Sequence, residues 1–370
     1  MKKKKIFAIV SVSLASLLFI AFLTGFLVIY YYSNEEASSS CVEEEFEENM
    51  CGINNAEDIV RIGDSNWVLS SNMGDQNWEN GGFYAIDIET KEAVELIPDF
   101  DNDPLPGYQE LENPSLFSSH GISIRAEEKD HTFTVYAVNH GSVSSIEAFT
   151  LEVTDDKPTM NWIGSIPFPN NETGNAVAAL PTGGFVTTVP MVEEDLGTMV
   201  DFISGDATGV VYKWTLEEEW SEVPESNFAG NNGIVVSPDG EWIYLNAYTS
   251  KELHKIPVND LDQPQSSVNF SFLPDNVRMS ANGTLLVTGH DASPLTIVGL
   301  CNSTSIDVCP VKTVVSEVDP ETMEQRIIFE RSSTQDFGGG TSAIIVEDEL
   351  WVSSFKSQRI ITTKLEETEY

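Results

Sequence analysis

From Glu57 to Phe355 short apolar runs alternate with polar turns, and one phrase recurs: a polar residue, an apolar strand, a Gly, Asp, Asn or Pro turn, then a second apolar strand. The copies read EDIVRIGDSNWVLSSN from Glu57, HGISIRAEEKDHTFTVYAVNH from His120, NAVAALPTGGFVTTV from Asn175, NGIVVSPDGEWIYLNAY from Asn232, NVRMSANGTLLVTGH from Asn276 and SAIIVEDELWVSSF from Ser342. Their starts lie 44 to 66 residues apart. A four-stranded propeller blade takes about 40 to 50 residues plus its loops, so each copy fits one blade. No stretch between copies carries the periodicity of a useful amphipathic helix. The expected fold is all-β, a six-bladed β-propeller, with an N-terminal transmembrane helix ahead of it.

In a propeller the equivalent ends of the innermost strands face a common axis, so the residues that open the copies converge. Here they are Glu57, His120, Asn175, Asn232 and the pair Asp275 and Asn276. Without the histidine, this set holds two carboxylates and three carboxamides. Hard oxygen ligands with two negative charges suit calcium, which takes six to eight oxygens, whereas zinc would call for His or Cys. A lone Asn before a strand is ordinary turn chemistry. Five oxygen donors in register with the repeat point instead to a site.

The leader is Lys2 to Lys5 followed by an uncharged apolar stretch from Ile6 to Tyr32. It is long enough to span a bilayer, and no clean cleavage site precedes Ser33. The expected organisation is a cytosolic tip and signal anchor over 1–32, an acidic stalk over 33–56 and the propeller over 57–370. Positive charge before the span gives a single-pass type II orientation, with the propeller lumenal or extracellular; secretion after cleavage is the alternative. All four cysteines, and sequons at Asn171, Asn269, Asn282 and Asn302 that could carry N-glycans, lie beyond the span. Cys301 and Cys309 are close enough to staple a loop, and Cys41 and Cys51 could pair locally, although sequence leaves all three connectivities open.

The chain carries 59 acidic against 19 basic residues, a net charge of −40. That balance excludes a nucleic-acid partner and keeps the protein soluble. Of five histidines, His120 opens the second copy, His140 closes it and His290 closes the fifth; His131 and His254 fall at a turn and a strand. A histidine at the axis could act as a general base near neutral pH. Alone it could equally bond a neighbouring blade, but two beside an oxygen cluster favour chemistry.

From about Glu57 to Arg359 the chain resembles the paraoxonases and arylesterases, six-bladed calcium propellers related to gluconolactonases and the senescence-marker lactonases. The specific matches are SHGIS at Ser119 to Ser123, VNH at Val138 to His140, NNGIVVSPDGEWIYL at Asn231 to Leu245 and DNV at Asp275 to Val277. The resemblance implies a catalytic calcium on Glu57, Asn175, Asn232, Asp275 and Asn276. It implies catalytic roles for His120, His140, Asn276 and His290, with the His pair activating water. The substrate would be a small ester or lactone. A second calcium in that family uses residues matching Asp58, the Ile122 carbonyl and an Asp, for which this chain has Ala176. That loss predicts one firm calcium and a weakened second site. The family disulfide joining the termini is also absent, because no Cys follows Cys309, so the ring is expected to close by strand pairing.

Two other readings remain. A strictosidine-synthase-like enzyme would use a catalytic Glu without calcium, against which His120 and His140 argue. A non-catalytic, calcium-stabilised binding propeller would have no use for the histidine pair. No Gly-x-Ser-x-Gly or His-Glu-x-x-His phrase is present. The pocket rim is assigned to the loops Pro98 to Phe117 and Val192 to Gly209.

Overall fold

Each of the six apolar phrases forms the first two strands of a four-stranded antiparallel sheet, in a computed structural model that describes residues 47–74, 81–111, 113–141, 143–154, 157–193, 195–259, 263–302 and 306–365. The first strands are Ile59–Arg61, Ser119–Ala126, Val177–Ala179, Asn231–Val236, Leu273–Met279 and Gly340–Val346. Each touches the next, and the sixth touches the first, so they form a closed ring. The expected six-bladed β-propeller is what the chain folds into.

The blades pack face to face, which explains why strands read as continuous apolar runs: Thr132–Asn139 is buried at all eight positions. Between blades 1 and 2 the Phe83 ring meets Phe149 edge-on at 5.4 Å and Phe117 at 5.2 Å. Between blades 2 and 3, Tyr136 meets Phe185 at 5.0 Å, and Phe185 stacks on Trp214 at 5.5 Å. Burying each such ring contributes about 1.5–3 kcal/mol, so these seams hold adjacent blades in fixed register.

The ring closes through an outer strand from the N-terminal side. Glu47–Cys51 pairs antiparallel with Arg359–Lys364, from Glu47 opposite Thr363 to Cys51 opposite Arg359, and completes the sixth blade. This strand comes from the segment expected to be stalk; Met50 is buried in the core beside Trp351 and Ile360. Closure by strand pairing is as expected. Cys301 and Cys309 form the local disulfide. Cys51 is also disulfide-bonded, and Cys41 lies outside the described residues.

The chain departs from the all-β expectation at Leu196–Ser204, a nine-residue helix in the Val192 to Gly209 loop. The Asp195 carboxylate caps it by accepting from the Thr198 amide at 2.8 Å, and Gly205 ends it with a φ of 85°. Among the described residues no helix is long and apolar enough to cross a membrane. The leader expected to do so lies outside them.

Candidate active site on the propeller axis

The residues that open the copies are turned inward by irregular backbone. Register shifts interrupt the first strands between Ser119 and Ile122, Asn231 and Ile234, Pro274 and Val277, and Gly340 and Ser342. These shifts contain His120, Asn232, Asp275 and Asn276. Bulges aim side chains out of the pleat, and here they aim at the axis.

Two glycines let neighbouring blades approach there. A methyl on Gly121 would lie 2.6 Å from the Ala176 Cα and 2.7 Å from the Asn175 carbonyl oxygen, and one on Gly233 would overlap the Asp275 carbonyl and the Asn276 backbone. Gly233→Ala should therefore cost about 1–3 kcal/mol by overpacking. Denaturant unfolding checks this, and an unchanged midpoint would contradict the close approach.

The axial side chains form two hydrogen-bonded groups that adjoin at the neighbouring residues Asp275 and Asn276. Asn276 donates through Nδ2 to Glu57 Oε1 at 2.6 Å, and His120 Nε2 lies 3.6 Å from the same oxygen. Asn175 Nδ2 approaches His120 Nε2 at 3.4 Å, and His120 Nδ1 shares a 2.5 Å contact with His140 Nε2. Asp275 bonds Asn232 through its side chain, and burial followed by the nearby charges of Glu57 and Asp58 holds its carboxyl well above the usual range. Its Oδ2 is 3.6 Å from His290 Nδ1. All eight residues singled out at the first site are thus brought together: Glu57, His120, His140, Asn175, Asn232, Asp275, Asn276 and His290.

Three oxygens of this set are buried with no hydrogen-bond partner: Glu57 Oε2, Asn175 Oδ1 and Asn232 Oδ1. A buried unsatisfied oxygen costs about 1–3 kcal/mol, so three around one axis, beside two carboxylates, fit a hard divalent cation. Among the described residues no group of three or more His, Cys, Asp or Glu is arranged for a metal, in keeping with a donor set that is mostly carboxamide.

Three contributing residues were not foreseen. Tyr248 places its hydroxyl 2.7 Å from His290 Nδ1, and burial together with Asp275 keeps the phenol protonated, with its pKa well above the ordinary value. Thr341 donates to the Glu57 backbone carbonyl at 2.6 Å. Arg278 bonds Asp58 and the Ile122 carbonyl, the two groups assigned to a second calcium.

Burial lowers His290 to about 4, and burial and then His120 push His140 well below its ordinary value. The unfolded chain therefore takes up protons at these rings before the folded chain does. Their contribution to stability should be complete above about pH 6.5 and fall away as the pH drops through the folded values. A thermal-midpoint series down to pH 4 checks this for His140. The wild type should lose more stability on acidification than His140→Gln, and parallel curves would contradict it.

A protein-family model described as Arylesterase matches residues 79–325 of this chain. The chain belongs to the arylesterase family. That match takes in every axial residue named above except Glu57, Asp58 and Thr341. Curated arylesterase relatives include serum paraoxonase/lactonase 3 of Homo sapiens, 25% identical over 225 residues. The match spans 57% of this chain and 58% of the human protein. The Oryctolagus cuniculus protein of the same name is 28% identical over 200 residues, spanning 51% of this chain and 55% of its own length. Among solved structures, a luciferin-regenerating enzyme aligns with a TM-score of 0.52 at 14% identity, covering 86% of this chain and 94% of its own. A protein assigned as a gluconolactonase aligns at 0.51 and 12% identity, covering 87% and 92%. These two show the shared propeller fold, and the resemblance to the paraoxonases and arylesterases holds.

Proposed function

We propose that this chain is a calcium-dependent hydrolase of lactones or aryl esters, working at the propeller axis. The observation that carries the proposal is the set of unpartnered buried oxygens on Glu57, Asn175 and Asn232 facing the same axis as the His120 and His140 pair. Those three residues with Asp275 and Asn276 would hold the calcium. When bound, it supplies a Lewis acid that offsets negative charge developing on the substrate's carbonyl or phosphoryl oxygen.

The rest of the chemistry falls to side chains. With His120 Nδ1 donating to His140 Nε2, the His120 Nε2 atom is left as a base near Glu57, and the Asn175 amide group holds that edge of the ring. His120 takes a proton from water as its oxygen bonds to the acyl carbon. His140 is kept neutral by burial, so it accepts that charge readily only while the pair shares the proton. As the ester bond breaks, the pair returns the proton to the leaving oxygen. Asn276, held against Glu57, gives the substrate oxygen a second polar contact. Tyr248 fixes His290 beside Asp275.

The relatives named as paraoxonase/lactonase 3 favour this activity over a binding propeller or a strictosidine-synthase-like enzyme. The sequon residues Asn171, Asn269, Asn282 and Asn302 are exposed, as N-glycans would require. They accompany the proposed lumenal or extracellular placement behind a type II anchor. Hydrolysis of an aromatic ester and a γ-lactone in ¹⁸O-water tests the activity. One labelled oxygen should appear in each acid released, and failure to turn over either substrate would count against a hydrolase.

A further inference from the structure

We propose that the second cation of the axis is built into the chain as Arg278, and that the Asp58 site takes no calcium. Asp58 follows Glu57 and is buried, with both carboxylate oxygens engaged. Its Oδ1 accepts from the Ile59 amide at 2.9 Å and from Arg278 Nε at 3.1 Å. Oδ2 accepts from the Ile122 amide at 3.0 Å and from Arg278 Nη2. The same Nη2 also donates to the Ile122 carbonyl at 2.7 Å. Arg278, itself buried, reaches from blade 5 across the axis and ties blades 1 and 2 together.

The residues do not fit a calcium here. Calcium needs six to eight oxygens, and both groups assigned to it already accept hydrogen bonds from the guanidinium. The third position, Ala176, offers no side-chain oxygen and is buried against its neighbours. Charge explains how the exchange is tolerated. Two carboxylates with a calcium are neutral, and one carboxylate with one guanidinium is neutral too. The planar fork also matches the carboxylate on two bonds. A guanidinium is charged at every working pH and cannot be removed by chelation. This tie between blades therefore persists when free calcium falls, and the only calcium-sensitive part of the axis is the Glu57 and Asp275 set.

Equilibrium dialysis of the full chain against labelled calcium tests the inference, comparing wild type with the double variant Ala176→Asp, Arg278→Ser. The double variant should bind one more calcium per chain than wild type. Two calcium ions bound by wild type would overturn the inference, as would equal numbers in the two proteins. Wild type binding one supports both this inference and the proposed hydrolase site. Wild type binding none, with the double variant binding one, would sink the hydrolase site and leave Arg278 in its place. Melting in excess chelator provides a reading that does not need the double variant to fold. Arg278→Ser alone should melt well below wild type with neither protein holding calcium, and coincident melting would overturn the inference.

Discussion

Asp275→Ala should lower kcat for an aryl ester on the order of 10³-fold, the size expected when the main stabiliser of a developing oxyanion is lost. Asp275 is one of only two carboxylates in the proposed ligand set, and Glu57 alone leaves a divalent cation half-compensated. In the folded chain burial, then the nearby charges of Glu57 and Asp58, push its carboxyl well above the usual range. A bound divalent cation opposes that push, because it favours the charged carboxylate. Steady-state kinetics with the variant at saturating calcium checks the loss. An activity within a factor of ten of wild type would remove Asp275 from the site. Because the substitution also removes a buried carboxyl that burial and the nearby Glu57 and Asp58 disfavour in its charged form, the variant should melt no lower than wild type in excess chelator.

His120→Gln should lower kcat by about 10² to 10⁴-fold, the usual contribution of a positioned general base, with KM little changed. Glutamine can hold the contact to His140 but cannot accept and return a proton. The remaining activity should lose the acid limb of its pH profile, since the proton acceptor that sets that limb is gone. A variant that lowers activity but keeps the wild-type acid limb would show that His120 positions substrate and that another group is the base. His140→Gln should fall less steeply, because His120 Nε2 keeps its place beside Asn175.

The six blades were legible in the sequence because strands buried on both faces leave uninterrupted apolar runs. Glu57, His120, Asn175, Asn232, Asp275 and Asn276 stood out because they open successive copies. The position that closes each copy carried a signal as well. His140 and His290 occupy it in the second and fifth copies, and Tyr248 occupies it in the fourth, where it bonds His290. In the sixth copy that position is Phe355, whose ring lies 5.8 Å from His290.

Alternation alone places Arg278 inward without showing what pairs it there. Two residues after Asn276 on one strand, it shares the inward face, which a basic residue occupies only when paired. Its partner, Asp58, is 220 residues away in sequence, and no local pattern reports such a pairing. The Leu196–Ser204 helix is too short for periodicity to reveal. Only its caps, Asp195 and Gly205, mark it, within an acidic stretch that otherwise reads as loop. The outer strand Glu47–Cys51 was masked by the run of Glu before it, because an edge strand with one exposed side needs few apolar residues.

On this proposal, one calcium on the Glu57, Asn175, Asn232, Asp275 and Asn276 set is required for hydrolysis. The most direct test follows calcium bound per chain and the rate of aryl-ester hydrolysis in the same titration of free calcium. The two curves should superimpose, rising from no activity in chelator to full activity at one calcium per chain. Hydrolysis that persists at full chelation, or that stays absent after the calcium has bound, would contradict it.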